Sequence, residues 1–264
     1  MFFEQHLIGR MANFGYVIGD PGAKVAAVID PSFDARILQK AASANGYAIS
    51  LIFDTHHHPD HVFDNERLAD ETGAKVAAHR LSNVRKDLVL EDGMTVKVGD
   101  LTVKVVHTPG HSPDSCCYLV GGRVFTGDCL FVGDCGRVDL PGSSVEQMYD
   151  SLFNKVRKMD DDLIVCPGHH YGKTPTSTIG AEKATNYTIQ PRRLEEFARF
   201  MRTPYPWAGP ARWPRVRAAS SFAAFASPLS SPLPSCLSPP SCASLPWRGI
   251  ACSDTGPRGV FRGR

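Results

Sequence analysis

The stretch THHHPDHV, residues 55–62, constrains this chain more than any other part of its sequence. Four histidines and one aspartate fall within six positions there, just after the apolar run ISLIF. A short apolar run is typical of a buried strand, and open α/β sheets place ligand sites at the carboxyl ends of their strands. The sequence therefore predicts a cluster of coordinating side chains in a loop that leaves a buried strand.

The spacing within this loop indicates which side chains share a space. Alternate residues of an extended segment point to the same side, so His56 and His58 face one way and His57 faces the other. The proline that follows disfavours a helix beginning before it. A turn at that proline brings Asp60 and His61 into the space that the first pair faces.

Three later stretches repeat the combination of strand, small turn residue and ligand type. VVHTPGH ends at His111, VFTGD ends at Asp128 and IVCPGH ends at His169. The glycine before each of them lets the backbone approach closely. A single histidine of this kind would be interpreted as a solvated or core residue, but four strand-end signals are hard to explain by packing. Five imidazoles and two carboxylates can hold two metal ions, because imidazole suits zinc or iron and a carboxylate can bridge them.

Three residues beside these positions have predicted supporting roles. Thr55 and Thr126 lie close before ligand-type residues, and we expect their hydroxyls to hydrogen-bond them. Cys129, directly after Asp128, is expected to be a buried and inert thiol, with redox sensitivity as the alternative if it is exposed.

Composition indicates a soluble, globular protein without a membrane span. Of the 264 residues, 42% are hydrophobic and 21% charged, and no run approaches the roughly 20 apolar residues that cross a bilayer. The start of the chain lacks the pattern of a secretory signal. The eight cysteines form no C-x-x-C pair, so we expect reduced thiols in a cytoplasmic protein.

The C-terminal part has a different composition. Residues 203–264 contain seven arginines, no lysine, one acid and 11 of the 20 prolines, together with many serines. Such a segment buries too little apolar surface to offset its ordering entropy, so we expect a catalytic domain at 1–202 and a disordered tail at 203–264. The tail is interpreted as a dispensable or out-of-frame extension, with an arginine-rich arm as the alternative. Residues 1–202 carry a net negative charge, so we expect no basic groove and no nucleic-acid partner.

Strand and helix patterns alternate along the body. FGYVIGD and KVAAVID predict a hairpin, as does TVKVGDLTVKVVH, while FDARILQKAASANG and SVEQMYDSLFNKVRKM predict helices with Ile37 on the buried face of the first. LIVCPGH is predicted to be the last strand and RRLEEFARFM a closing helix. This order indicates an α/β fold in which two packed sheets are covered outside by helices.

The same motifs carry a family resemblance over residues 1–202. THHHPDH, TPGH, TGD and PGHHYG resemble the T-H-x-H-x-D-H, G-H, G-D and G-H elements of the metallo-β-lactamase superfamily. The resemblance implies a four-layer αββα sandwich. It also implies two sets of metal ligands: His56, His58 and His111 for a first metal, and Asp60, His61 and His169 for a second, with Asp128 bridging them.

Within the superfamily the chain is similar to glyoxalase II (hydroxyacylglutathione hydrolase). Arg137 and Tyr171 fall at glutathione-contacting positions of that family, whereas Asp139 stands at an aromatic position and the tail replaces a helical domain. The resemblance implies a hydrolase with two Zn²⁺, or mixed zinc and iron, whose metal-bound hydroxide attacks a thioester or ester of a small molecule. Asp60 and Asp128 would be its catalytic carboxylates, with Asp60 orienting the nucleophile.

A second branch gives an alternative function. CGRVDL is similar to the G-R-T-D-F segment of persulfide dioxygenases, and STIGAEKATN is similar to their stretch after the last histidine. That resemblance implies a single Fe²⁺ held by His56, His111 and Asp128, with glutathione persulfide as the substrate. The sequence leaves the substrate, the native metal and the oligomeric state open.

Overall fold

The computed structural model describes residues 1–203. The predicted tail, apart from Thr203, lies outside the described residues, and the division into domains at residue 202 stays a prediction. Among the residues described, no helix is both long and apolar enough to cross a membrane.

The first sheet contains six strands in the order β1-β2-β3-β4-β5-β6. Their bounds are Phe2–Ile8, Asn13–Asp20, Val25–Ile29, Ala48–Phe53, Lys75–His79 and Leu88–Leu90. The first three strands are antiparallel, as the predicted hairpin requires, and β3 to β6 run parallel. Parallel strands end at a common edge, so the loop after β4 opens at one end of the sheet.

The second sheet has the order β14-β13-β10-β9-β8-β7. From β7 to β10 the bounds are Thr95–Val98, Leu101–His107, Cys116–Val120 and Arg123–Gly127, followed by β13 at Ile164–Pro167 and β14 at Ser177–Thr178. A short separate hairpin joins β11 (Leu130–Phe131) to β12 (Asp134–Cys135). Only β10 and β13 are parallel in the second sheet, which brings their carboxyl ends together.

Residues 1–203 contain six α-helices, of which five cover the outer faces of the sheets and α2 lies in the loop after β4. From α1 to α6 their bounds are Arg36–Ala44, Pro59–Val62, Asn65–Thr72, Val145–Tyr149, Ile179–Thr185 and Leu194–Arg202. A π-helical turn at Asp150–Lys155 and a 3-10 turn at Val156–Lys158 continue α4, and a second 3-10 turn spans Tyr187–Ile189.

Three apolar clusters show the predicted layers. Inward-facing residues of both sheets, among them Phe53 and Phe125, form the central core. Leu38 and Leu68 from α1 and α3 pack on the outer face of the first sheet, and Phe197 from α6 packs with α4 on the second. Each such side chain contributes about 1.5–3 kcal/mol through burial. The predicted αββα sandwich is confirmed.

Three local predictions were wrong. The long helix predicted after residue 144 is α-helical only over Val145–Tyr149 and continues as a π-helical segment and a 3-10 turn, and within it Ser151 donates its hydroxyl to the Pro109 carbonyl at 2.6 Å. A further short strand, β14, follows the strand that ends at Pro167 and pairs with it. Ile37 is exposed, because α1 buries only the narrow stripe of Leu38 and Ala42.

Two buried tyrosines tie the sheets together across the central core. Tyr16 of the first sheet donates its hydroxyl to the Pro167 carbonyl of the second at 2.5 Å. Tyr118 of the second sheet donates to the Asp54 carbonyl of the first, also at 2.5 Å. Each acceptor lies at the end of a strand, two residues before a ligand-type histidine. The two bonds therefore fix the relative position of the loops that carry the predicted ligands.

We expect Tyr118→Phe to lower the free energy of unfolding by about 1–2 kcal/mol, because a buried carbonyl loses its cross-sheet donor. Urea denaturation measures the change. Tyr47→Phe is the matched control, since Tyr47 is buried but its hydroxyl makes no hydrogen bond within residues 1–203. Equal stability losses in the two variants would contradict the role of the bond.

Candidate metal centre

The predicted ligand residues converge at one edge of the sandwich. The loop after β4, with the short helix α2, carries four of the seven, and the loops after β8, β10 and β13 carry one each. His57, also in the first loop, faces away from them. Within the described chain, three overlapping sets of side chains have donor atoms within 4.8 Å of one another: His56, His58 and His111; His56, His61 and Asp128; and Asp60, His61 and His169.

The first set contains only imidazoles. The Nδ1 of His58 lies 3.0 Å from the Nε2 of His56 and 2.9 Å from the Nε2 of His111. Three ring nitrogens therefore point into one small space. Nitrogens this close together are near enough to be ligands of one metal ion.

The set predicted for a second metal, Asp60, His61 and His169, adds a carboxylate. The Nε2 atoms of His61 and His169 face each other at 3.2 Å, and Asp60 Oδ2 lies 3.4 and 3.3 Å from them. Asn13 donates its amide to the same Asp60 oxygen at 2.9 Å, which holds the carboxylate in place.

Asp128 lies between the two sets. Its Oδ1 is 3.4 Å from the Nε2 atoms of both His61 and His169, while its Oδ2 is 3.5 Å from the Nε2 of His111. Gly168 is required here, because a Cβ at that position would lie 2.5 Å from Asp128 Oδ1. The carboxylate thus presents one oxygen to each set.

The outward nitrogens of four histidines have fixed partners. His111 donates Nδ1–H to the Arg137 carbonyl and His169 donates to the Met11 carbonyl, each at 2.9 Å. A ring that donates through Nδ1 keeps the lone pair of Nε2 for the interior. Asp128 Oδ1 is also buried without a hydrogen-bond donor. Converging lone pairs and an orphaned carboxylate oxygen fit metal ions.

Asp30 joins the two sets, and we did not predict its role from the sequence. Its Oδ2 accepts hydrogen bonds from the Thr55 hydroxyl at 2.7 Å and His61 Nδ1 at 2.9 Å, while Oδ1 accepts from the Thr55 amide. Thr55 in turn accepts from His56 Nδ1 at 3.1 Å. The signal that could have found Asp30 is its place at the end of VAAVID, an acid that closes a buried strand.

The outcomes for the neighbouring residues differ. The predicted bond from Thr55 to a ligand-type residue is confirmed, and Cys129 is buried as expected. The prediction for Thr126 was wrong, because its hydroxyl turns to the Leu130 carbonyl at 2.7 Å. His57 faces away from the cluster, as expected, and pairs with Asp114 at 2.7 Å.

The predicted substrate contacts, Arg137 and Tyr171, lie beside the cluster. Arg137 reaches it through its carbonyl on His111, and its guanidinium forms a two-point ion pair with Asp139 at 2.5 and 2.8 Å. The Tyr171 ring stacks on His169, with centroids 4.6 Å apart and planes 9° apart. Their predicted roles in substrate binding stay predictions.

The two sets of donors differ in their affinity for protons. Burial alone would lower the pKa of His61 and His169. The nearby carboxylates outweigh it and raise the pKa of His61 to about 9 and of His169 to about 10. The same histidines outweigh burial and lower the pKa of both Asp60 and Asp128 far below the usual range. In the first set, burial and then His111 lower the pKa of His58 to about 4.

Comparison with known proteins matches this geometry. The sequence model of the metallo-beta-lactamase superfamily matches residues 8–85 and 82–169. The chain belongs to that superfamily. Within the family, a crystal structure of ETHE1 from Myxococcus xanthus has a TM-score of 0.73 at 34% identity, covering 78% of this chain and 93% of that chain.

Both predicted branches of the superfamily occur among the relatives. The hydroxyacylglutathione hydrolase of Maricaulis maris is 37% identical over 166 residues, which are 60% of this chain and 62% of that protein. The human mitochondrial persulfide dioxygenase ETHE1 is 29% identical over 200 residues, 72% of this chain and 76% of that protein. The resemblance inferred from the motifs is confirmed, and the chain is a member of an enzyme family that binds metals.

We expect Thr55→Val to weaken metal binding about tenfold, because the isosteric change cuts the link from His56 to Asp30. Titration of the metal-free protein with Zn²⁺ against a competing chelator measures the affinity. Thr126→Val is the control, since its hydroxyl contacts a carbonyl instead. Unchanged affinity in Thr55→Val would contradict the proposed support of His56.

We also expect the two sets to differ in pH dependence. The raised pKa values of His61 and His169 mean that the pair holds a proton at pH 7, which a metal ion must displace. Affinity at that set should rise about tenfold per pH unit for each proton released, up to about pH 9 for His61 and about pH 10 for His169. The lowered pKa of His58 leaves the first set neutral above about pH 5, and its affinity flat. Calorimetry in buffers of different ionisation enthalpy counts the protons, and equal counts for both sets would contradict this difference.

Proposed function

We propose that the chain is a metal-dependent hydrolase that cleaves a thioester or ester of a small molecule, in the manner of glyoxalase II. The observation that carries this proposal is the position of Asp128, whose two oxygens face two separate sets of donors. A bridged pair of sites is the arrangement used for metal-assisted hydrolysis. The hydrolase among the relatives is consistent with it.

The proposed ligands form two groups that share Asp128. His56, His58 and His111 would hold one ion, and Asp60, His61 and His169 would hold the other. Imidazole and carboxylate donors suit Zn²⁺, or a mixture of zinc and iron. When bound, two such ions lower the pKa of a shared water and polarise a carbonyl oxygen.

Asp60 and Asp128 are the proposed catalytic carboxylates. The low pKa of Asp60, which results from His61 and His169 acting against burial, keeps it ionised and able to accept a hydrogen bond from an attacking water. Asn13 holds Asp60 Oδ2 and so fixes the direction of the carboxylate. Asp128 faces histidines of both ligand sets and so fixes the distance between the two proposed metal sites.

Arg137 and Tyr171 are the proposed contacts to the substrate. Both lie next to ligand-set histidines, and Tyr171 is partly exposed. Asp139 already pairs with the Arg137 guanidinium, so an anionic group of a glutathione thioester has to compete with that carboxylate. A cytoplasmic location suits this proposal, since all the described cysteines are free thiols.

Persulfide dioxygenation is the second candidate. His56, His111 and Asp128 offer two imidazoles and one carboxylate for a single Fe²⁺, and the ring centroids of the two histidines lie 5.0 Å apart. The relatives named persulfide dioxygenase favour it. In this alternative, His58 is not a ligand.

We expect Asp128→Ala and His58→Ala each to reduce hydrolysis of S-lactoylglutathione by more than about a hundredfold, since each removes a ligand rather than an outer partner. Metal content of anaerobically purified protein should be about two ions per chain. Circular dichroism checks the fold, and His6→Ala on the surface strand β1 serves as the control histidine substitution.

The same variants separate the two candidate functions. One iron per chain, oxygen uptake with glutathione persulfide, and survival of that uptake in His58→Ala but not in Asp128→Ala would replace hydrolysis with dioxygenation. Full hydrolysis by either variant would remove the two-metal proposal altogether.

A further inference from the structure

The segment between Asp128 and Arg137 leaves the metal centre and returns to it. It contains the β11–β12 hairpin and ends with Gly136 packed so closely that a Cβ there would lie 1.9 Å from the Asp128 carbonyl oxygen and 3.2 Å from His111 Nδ1. The next residue, Arg137, accepts the Nδ1–H of His111. The position of the hairpin therefore determines where this acceptor lies.

The hairpin also touches the other set of ligands. The ring of Phe131 meets His169 edge-on, with centroids 5.8 Å apart at 84°, and meets Tyr171 at 5.2 Å and 76°. Tyr171 in turn stacks on His169. The hairpin thus packs against His169 of one set, and Arg137, which follows the hairpin, contacts His111 of the other.

Glu182 holds the hairpin from behind. This residue of α5 is 1% exposed, and its Oε2 accepts hydrogen bonds from the Gly133 amide and the Asn186 side-chain amide, each at 2.8 Å. No Lys or Arg of the described chain forms an ion pair with it. Burying a carboxylate is unfavourable unless hydrogen-bond donors compensate for the lost water. At Glu182 the donors are the two neutral amides.

Asn186 completes the attachment. Its fully buried amide donates to the Asp134 carbonyl at 3.0 Å as well as to Glu182, and its oxygen accepts from the Thr188 amide at 2.9 Å. Acceptors on one side and donors on the other fix the orientation of the amide. Glu182 and Asn186 together hold Gly133 and Asp134 of the hairpin.

We propose that Glu182 and Asn186 form a latch that positions His111 and His169 through the β11–β12 hairpin and thereby sets the affinity of the metal centre. The proposal rests on the metal centre proposed above. Neither residue touches the ligand sets, so both are positioning residues. Their effect passes through the Arg137 carbonyl on one side and the Phe131 ring on the other.

Titration of the metal-free full-length chain with Co²⁺ tests the latch, since its visible absorption reports both affinity and ligand geometry. We expect Glu182→Ala and Glu182→Asp to bind Co²⁺ about tenfold more weakly and with a changed absorption spectrum, because the side chain no longer reaches Gly133. Glu182→Asp keeps the charge and most of the volume, and so tests the latch if the alanine variant does not fold. Glu182→Gln should restore wild-type binding, because its carbonyl oxygen can accept from the same two amides.

Two controls separate positioning from general destabilisation. Leu38→Ala removes a fully buried side chain from the far outer layer, and it should lower the melting temperature while leaving Co²⁺ affinity unchanged. Glu195→Ala on the exposed face of α6 should change neither. Wild-type Co²⁺ affinity in both Glu182→Ala and Glu182→Asp would overturn the latch but not the metal centre. A loss of affinity in Leu38→Ala as large as that in the Glu182 variants would do the same. Failure of the wild-type chain to bind Co²⁺ would overturn the metal centre and the latch together.

Discussion

The geometry of the cluster depends on the hydrogen bonds that the buried Asp30 carboxylate accepts. It receives the Thr55 amide, the Thr55 hydroxyl and His61 Nδ1, and so links the strand β3 to the loop that carries most of the ligand-type residues. Because Thr55 also accepts from His56, one carboxylate orients a histidine in each set. Hydrogen bonds to a charged acceptor are among the stronger ones in proteins, and burial strengthens them further.

The sandwich carries this local order to the rest of the edge. Tyr16 and Tyr118 cross the core in opposite directions, and each holds the carbonyl at the end of a strand that leads to a histidine loop. Packing of the apolar interior sets the distance between the sheets, but it is not directional. The two directional hydrogen bonds of the tyrosine hydroxyls set the position of one sheet relative to the other. Together they bring side chains from four separate loops to one space.

Much of the site could be predicted from the sequence, because its signals are local. A strand and a glycine before the residue identified His111, Asp128 and His169, whereas the histidine spacing of residues 55–62 identified the other four, and the geometry brings all seven together. Asp30 escaped notice because its role arises only when β3 pairs with β4. The partner of the Thr126 hydroxyl, the Leu130 carbonyl, depends on the side-chain rotamer, which the position of Thr126 in the sequence does not reveal. Glu182 gave no signal, since a glutamate in a short polar helix is usually exposed.

The first hairpin of the chain supplies partners to the last ligand-type histidine. The Met11 carbonyl accepts the ring N–H of His169, 158 residues later, and the Asn13 side chain bonds to Asp60. A chain emerging from the ribosome exposes its first histidines long before the residues that complete their surroundings exist. Contacts of such long sequence separation form late in folding. The donor atoms of Asp60, His61 and His169 can therefore come together only after synthesis has passed β13.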